Sequence, residues 1–209
     1  TSPLNKPEDV KKAVLAARQA QPAWAALPVS QRVKYVKRVL DYLALHAADI
    51  ADTISRDNGK DRLDALMAEV ASAAMGTAYY MKKAKSFLKP KSTGMGNILA
   101  VNKRSKIHRI PFGVIGIISP WNYPFAIPFA EIVMALLAGN AVILKVASET
   151  QMVGRAIEEC FKAADLPEGI FTHINLPGSV AGAAFIDHGV DKLFFTGSVS
   201  VGKWLMARA

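Results

Sequence analysis

The sequence has little of what marks several classes of protein. A single cysteine, Cys160, stands among 209 residues, so the chain cannot form an internal disulfide. The longest apolar stretches, 113–118 and 127–138, are shorter than the roughly 20 residues that span a bilayer, and Glu131 interrupts the second. The N-terminal stretch TSPLNKPEDVKK lacks the apolar core of a signal peptide. These absences predict a cytoplasmic protein without a membrane segment.

Signatures of metal and nucleic-acid binding are also scarce. The four histidines lie on different predicted elements without ligand spacing, so we expect no metal site. The net charge of +9 comes largely from MKKAKSFLKPK and NKRSKIHRI. These clusters lack the glycine and aromatic interleaving of single-strand binders and any helix-turn-helix or RNP pattern. We therefore expect a solvated basic face and no nucleic-acid partner; binding to nucleic acid or acidic proteins is the rival interpretation.

Helical spacing dominates the first ninety residues. It predicts a short helix over 7–24, a long helix capped near Ser30, and a second long helix over 61–88 that Pro90 ends. The pair Asn58-Gly59 predicts the end of the first long helix, because both residues tolerate the left-handed conformation. The expected inward positions are Val33, Val36, Leu40, Leu43, Ala47, Ile50 and Ile54 in the first long helix, and Leu63, Met67, Val70, Ala74, Met81 and Leu88 in the second.

The pattern changes in the second half of the chain. Residues 96–113 alternate apolar and polar side chains in two short runs, which predicts a half-exposed pair of strands. From Gly113 onward, four apolar strands alternate with helical segments over short connections. This alternation predicts an α/β fold, with a parallel sheet covered by helices on both faces.

The four predicted strand ends carry distinctive residues, and open parallel sheets bind ligands at such ends. The first strand is followed by PWNYP, the second ends at Lys145, and the last two lead into PGSVAG and TGS. Free N–H groups and a helix dipole at the last two junctions favour a phosphate, so a dinucleotide would suit them. Neither junction is the G-x-G-x-x-G fingerprint, and Ser198 could equally be a simple helix cap.

Four segments together resemble the aldehyde dehydrogenase superfamily in order and approximate separation: PWNYP, GNAVILK followed by Ser-Glu-Thr, LPEGIF, and FTGSVSVGK. The resemblance covers essentially the whole chain. It implies a helical segment over 1–90, a β-arm for oligomerisation over 91–111, and an incomplete NAD(P)-binding Rossmann-like domain over 112–209. It also implies NAD(P)-dependent oxidation of an aldehyde to a carboxylic acid by a full-length homo-oligomer, a dimer or tetramer. Related branches that reduce acyl phosphates or use coenzyme A stay open.

The resemblance assigns roles to single residues. Asn122 matches the asparagine whose amide helps to form the oxyanion hole, although a turn asparagine would also fit the pattern. Trp121 matches a residue beside the nicotinamide, or it is a packing anchor. Lys145 matches the lysine that contacts the adenosine ribose, or it is a solvated lysine at a strand end. The cofactor-binding positions implied are Ile118, Pro120, Trp121, Lys145, Ser148, Gly178, Gly182, Phe195, Thr196, Gly197, Ser198 and Val201.

Ser148 departs from the pattern of many NAD-preferring members, which have a glutamate at this position that repels a 2′-phosphate. A neutral hydroxyl beside Lys145 favours acceptance of NADP, unless the neighbouring Glu149 reaches the same place, so the predicted cofactor is NADP or NAD.

The family's nucleophilic cysteine and general-base glutamate lie downstream of the TGS motif, and this sequence ends at Ala209. Cys160 has the spacing of a buried helix face and is expected to be a small hydrophobe. We therefore expect the 209 residues alone not to oxidise an aldehyde. The alternative function is a non-catalytic module that binds a dinucleotide or joins an oligomer.

Overall fold

A computed structural model describes residues 4–94 and 103–209. The helices are α1 (Pro7–Ala26), α2 (Val29–Leu45), α3 (Ala47–Asn58), α4 (Arg62–Asp64), α5 (Ser72–Leu88), α6 (Ala126–Leu137), α7 (Gln151–Lys162), α8 (Gly178–Asp187) and α9 (Val199–Arg208), and a π-helical segment, Ala65–Ala71, lies between α4 and α5. The strands are β1 (Lys91–Thr93), β2 (Ser105–Ile107), β3 (Val114–Ile118), β4 (Ala141–Lys145), β5 (Phe171–His173) and β6 (Lys192–Phe195).

Local sequence signals set several helix ends. Pro7 occupies the start of α1, and the Asp9 carboxylate accepts the Lys6 N–H at 2.9 Å. Helix α3 ends at Gly59, whose φ of +79° is left-handed, as the Asn-Gly pair predicts. Helix α5 ends just before Pro90, which is also as predicted.

The first long helix of the sequence prediction is two helices. His46, with φ −106° and ψ 19°, leaves helical geometry and separates α2 from α3. The predicted cap is wrong as well, because α2 begins at Val29 after Pro28 and Ser30 lies inside its first turn.

The second long helix contains the π-helical segment, which the sequence prediction missed. Leu63 and Met67 were expected inside but are 65% and 58% exposed. The buried positions of the segment are Ala65, Glu69 and Val70. The wider π turn changes the phase of the buried stripe, so a strict 3.6-residue period selects the wrong side chains before Val70.

The parallel sheet has the strand order β5-β4-β3-β6, and this confirms the predicted α/β class. Helices α6 and α7 pack on strands β3, β4 and β5, while α8 approaches β3 so closely that a Cβ at Gly116 would lie 3.0 Å from the Phe185 ring. The chain runs outward from β3 to β5 and then returns to place β6 on the other side of β3. Ligand crevices form where the strand order reverses in this way.

The N-terminal helices are joined to the sheet layer by buried polar contacts. The Trp24 indole N–H donates to the Leu136 carbonyl at 3.0 Å. Arg32, 5% exposed, donates to the carbonyls of Leu137 and Leu27 at 3.0 and 2.6 Å. These bonds link α1 and α2 to the end of α6, so the helices form part of the same core as the sheet.

Strands β1 and β2 form a small antiparallel pair, with Lys91 opposite Ile107, and both are exposed. Strand β2 confirms a strand in the second of the two predicted runs. Strand β1 lies upstream of both runs, and residues 96–102, which hold the first run, lie outside the described residues. The division of the chain at 90 and 111 stays a prediction. No helix in the described ranges has the length and apolarity to cross a membrane.

Candidate functional site

The carboxyl ends of β3, β4 and β6 meet at one cavity of about 700 Å³. Their register is level, because Ile118 pairs with Lys145 on one side and with Phe195 on the other. Two further bonds extend the ladder, from the Ser119 N–H to the Lys145 carbonyl and from the Thr196 N–H to the Ile118 carbonyl, both at 3.1 Å. The cavity is lined by Ile118, Ser119, Pro120, Trp121, Asn122, Lys145, Ala147, Ser148, Glu149, Gly178, Phe195, Thr196, Gly197, Ser198 and Val201.

This lining contains every candidate site residue from the sequence except Gly182. Gly182 lies inside α8, where an added Cβ would be 2.6 Å from Leu205 Cδ2, so its lack of a side chain allows α8 and α9 to pack closely. Three lining residues, Ser119, Ala147 and Glu149, were not among the candidates. A signal for Ser119 existed, since it is a hydroxyl placed directly after a buried strand.

Lys145 is the most unusual side chain of the cavity wall. It is only 4% exposed, so the alternative of a solvated lysine is wrong. Burial lowers the pKa of its ammonium, an effect that the nearby Glu149 carboxylate partly opposes. Within the described ranges its Nζ has no hydrogen bond or ion pair. A largely buried ammonium without a hydrogen-bond partner is costly, so this group has the capacity to donate to oxygen atoms of a molecule in the cavity.

Two further features of the cavity are a hydroxyl without a hydrogen-bond partner and a glycine close to the Lys145 ammonium. The Ser119 hydroxyl is buried and has no hydrogen-bond partner among the described residues. Gly178 leaves space next to the ammonium, because a Cβ there would lie 3.6 Å from Lys145 Nζ. The cavity lining therefore includes an ammonium and a hydroxyl that have no hydrogen-bond partner among the described residues.

The N-terminus of α9 also lies at the cavity, which is lined by Gly197, Ser198 and Val201. Ser198 caps this helix, since its hydroxyl accepts the Val201 N–H at 3.4 Å. The capping role is therefore confirmed, and a role in ligand binding stays a prediction. Gly197 keeps the approach narrow, because a Cβ there would be 2.6 Å from the Phe195 ring. Capping one N–H leaves the positive end of the helix dipole facing the cavity, which favours an anion.

Asn122 lies on the exposed rim. Its side-chain Oδ1 accepts the Tyr123 N–H at 3.0 Å, while its Nδ2 has no partner in the part of the chain that the structure describes. The interpretation as a turn asparagine thus explains the hydrogen bond of Oδ1. It leaves the N–H groups of Nδ2 available as donors. Trp121 is 62% exposed, so it is not a packing anchor.

Cys160 lies away from this cavity. It is fully buried in α7, and burial raises the pKa of its thiol to about 12. As expected from its spacing, it behaves as a hydrophobic core residue.

The level strand ends and the crevice beside the reversal of strand order are typical of α/β proteins that bind ligands at the carboxyl ends of a parallel sheet. The model of the aldehyde dehydrogenase family matches residues 1–209, and the chain belongs to this family.

Relatives and solved structures agree with this assignment. The chain is 36% identical over 207 residues to the 4,4'-diapolycopene aldehyde oxidase of Methylomonas sp, a match over 99% of this chain and 39% of the relative. An NADP-dependent enzyme from E. coli has a TM-score of 0.91 at 28% identity, over 99% of this chain and 42% of that structure. The NAD+ complex of an aldehyde dehydrogenase from Bacillus cereus has a TM-score of 0.90 at 28% identity, over 98% and 41%. The chain thus spans about two fifths of the proteins that it matches, and it is an N-terminal fragment of the fold.

Proposed function

We propose that this chain supplies the NAD(P) site and the oxyanion donor for the oxidation of an aldehyde to a carboxylic acid. The buried, unpartnered ammonium of Lys145 in the wall of the strand-end cavity carries this proposal. The family assignment supports it, and so do the NADP and NAD+ in the names of the two similar structures.

The residues of the cavity fit such a cofactor. Lys145 donates to ribose oxygens, and Gly178 leaves the space for them beside the ammonium. Gly197 and Ser198, at the N-terminus of α9, hold the pyrophosphate through backbone N–H groups and the helix dipole. The exposed Trp121 provides an aromatic surface for the nicotinamide. When bound, the nicotinamide dinucleotide supplies the two-electron oxidation.

Asn122 acts on the substrate. Its free Nδ2 donates to the carbonyl oxygen of the aldehyde as negative charge develops there, and one such donor is worth about 3–4 kcal/mol. The nucleophile does not come from Cys160, because a buried thiol with a pKa of about 12 is neither accessible nor ionised. The 209 residues are therefore expected to bind the dinucleotide without turning over an aldehyde.

Ser148 and Glu149 tune the choice between the two dinucleotides. Both line the cavity near Lys145. The Ser148 hydroxyl offers a donor to a 2′-phosphate, whereas the Glu149 carboxylate repels it. We propose that NADP is accepted and favoured because Ser148 occupies the position at which many NAD-preferring members have a glutamate.

Calorimetric titration of the 209-residue chain with NAD+ and with NADP+ tests the proposal. We expect saturable one-to-one binding of both, tighter for NADP+, and no aldehyde oxidation. Single-stranded nucleic acid is the comparison ligand, because a basic surface would bind it with an affinity that falls steeply with salt. Absence of dinucleotide binding at millimolar concentration would contradict the proposal. Robust aldehyde oxidation would contradict the expectation that the 209 residues bind the dinucleotide without catalysing the reaction.

The β1–β2 arm supports a second proposal, that it joins two copies of the protein. An isolated two-stranded sheet is marginal in water, yet this one carries Ile107 and is followed by Ile110 and Phe112, which are 54%, 83% and 63% exposed. Light scattering after gel filtration tests this. We expect an oligomer for the wild type and a lower mass for Ile110→Asp, and a monomeric wild type would refute it.

A further inference from the structure

The segment that carries Asn122 is held by side chains. Residues 119–125, the Asn122 loop, contain Pro120 and Pro124, which have no N–H to contribute to a hydrogen-bond ladder. Instead, Asn58 Nδ2 donates to the Trp121 carbonyl at 2.6 Å, and Lys60 Nζ donates to the Asn122 carbonyl at 2.9 Å. Both donors flank the left-handed Gly59 that ends α3.

Lys60 is itself fixed from two directions. Its ammonium forms an ion pair with Glu69 and lies 4.2 Å from the centroid of the Tyr123 ring. Its side chain is 16% exposed, so little water competes for these contacts. Because Tyr123 follows Asn122 directly, Lys60 contacts two consecutive residues of the loop, at the Asn122 carbonyl and at the Tyr123 ring.

Glu69 lies in the π-helical segment and is completely buried. Its Oε2 accepts the N–H groups of Phe125 and Ala126, both at 2.9 Å, and its Oε1 accepts from Lys60. Phe125 and Ala126 begin α6, so a carboxylate here also interacts favourably with the helix dipole. One buried carboxylate therefore fixes both the end of the Asn122 loop and the cation that holds its middle.

We propose that Glu69 and Lys60 are positioning residues for the Asn122 amide: Glu69 anchors Lys60 and the start of α6, and Lys60 holds the Asn122 backbone so that Nδ2 keeps a fixed direction. This inference rests on the proposed oxyanion role of Asn122. It gives the DNGK turn and the π-helical segment a part in that role, although neither lines the cavity. Since oxyanion stabilisation depends on donors placed in advance, a loop free to move would lose much of the benefit.

The test uses the 209-residue chain and two charge-neutralising substitutions together, Lys60→Met with Glu69→Gln. Lys60→Met alone leaves a buried carboxylate without its cation and could prevent folding, whereas the double variant leaves no unpaired buried charge. Gln at position 69 can still accept from Phe125 and Ala126. The matched control is Lys37→Met with Asp41→Asn, which removes an exposed ion pair of the same kind on α2.

The measurement is ¹⁵N relaxation of the Asn122 side-chain amide. We expect a rigid amide in the wild type and in the control, and an order parameter below about 0.6 in the double variant. We expect the single variant Lys60→Arg to keep the order parameter of the wild type, because Arg keeps the positive charge beside Glu69. An Asn122 amide that stays rigid in the folded double variant, or one that is already mobile in the wild type, would overturn the proposal.

Dinucleotide binding by the wild type is measured on the same sample. Absence of that binding would contradict the proposed function while leaving the relaxation result to decide on positioning. The two ideas can therefore fail separately.

Discussion

Replacing Lys145 by Met is the sharpest test of the cavity. The substitution keeps an unbranched chain of similar length and removes a charge that is 4% exposed and unpaired within the described residues. A hydrogen bond to a charged group contributes about 1.5–3 kcal/mol, and 1.4 kcal/mol is a factor of ten in Kd. We therefore expect Lys145→Met to weaken the binding of NAD+ and NADP+ by about 10- to 150-fold.

The same substitution should weaken dinucleotide binding without lowering the free energy of unfolding. Burial lowers the pKa of Lys145, so between that lowered pKa and its ordinary value of 10.5 the unfolded chain binds more protons than the folded one. The charged ammonium thus opposes folding at neutral pH, and Lys145→Met is expected to have an equal or higher free energy of unfolding.

Calorimetry and urea denaturation at pH 7 measure the two effects. Lys37→Met is the matched control, because Lys37 is 63% exposed, pairs with Asp41 on α2 and does not line the cavity. A folded Lys145→Met protein that binds both dinucleotides within twofold of the wild type would refute the reasoning.

Three further predictions concern ionisable groups that are partly or fully buried. Burial raises the pKa of Glu131 to about 7, so the free energy of unfolding falls as the pH rises from about 4.5 to 7. In urea denaturation at pH 8, Glu131→Gln should raise the free energy of unfolding by about 1–2 kcal/mol, a value reduced to allow for the remaining exposure of the side chain. An equal rise at pH 4 would contradict this. A hydrogen bond with His173 is the main cause that lowers the pKa of Glu158 to about 2, so its contribution is present above about pH 4.5 and lost towards pH 2. Glu158→Gln should therefore lower the melting temperature at pH 7 and flatten its fall in acid, and an unchanged acid profile would count against the pair. Cys160 should react with a thiol reagent only after unfolding, and rapid labelling of the native protein would show that its burial is wrong.

The sequence predicts the sheet better than the helices, for a physical reason. Apolar β-branched runs with short helical connections leave few arrangements other than a parallel sheet, and parallel strands bring their ends together. Twelve of the thirteen candidate residues therefore meet in one cavity, although they lie as far apart as Ile118 and Val201. Gly182 is the candidate that does not line the cavity, because the sequence cannot distinguish a glycine that permits close helix packing from a glycine that leaves room for a ligand.

Other features depend on contacts between distant segments. The exposed Leu63 and Met67 have the spacing of a buried stripe, and only the π-helical segment changes that phase. The burial of Lys145 cannot be read from its neighbours in the sequence, since it depends on the strands on both sides. The contact between Lys60 and the Asn122 carbonyl joins residues 62 positions apart, and no local pattern marks it.

The π-helical segment also has a consequence for how this chain compares with others. A π turn holds one residue more than the α turn that it replaces, so its gain or loss is a single insertion or deletion. A relative with a regular α-helix here should be one residue shorter between the counterparts of Lys60 and Val70, while the buried faces on either side still match. Removing one residue from this segment of the present chain would instead rotate Glu69 away from Phe125 and Ala126. A one-residue gap in an alignment at this place would thus record a change in helix geometry, with no loop involved.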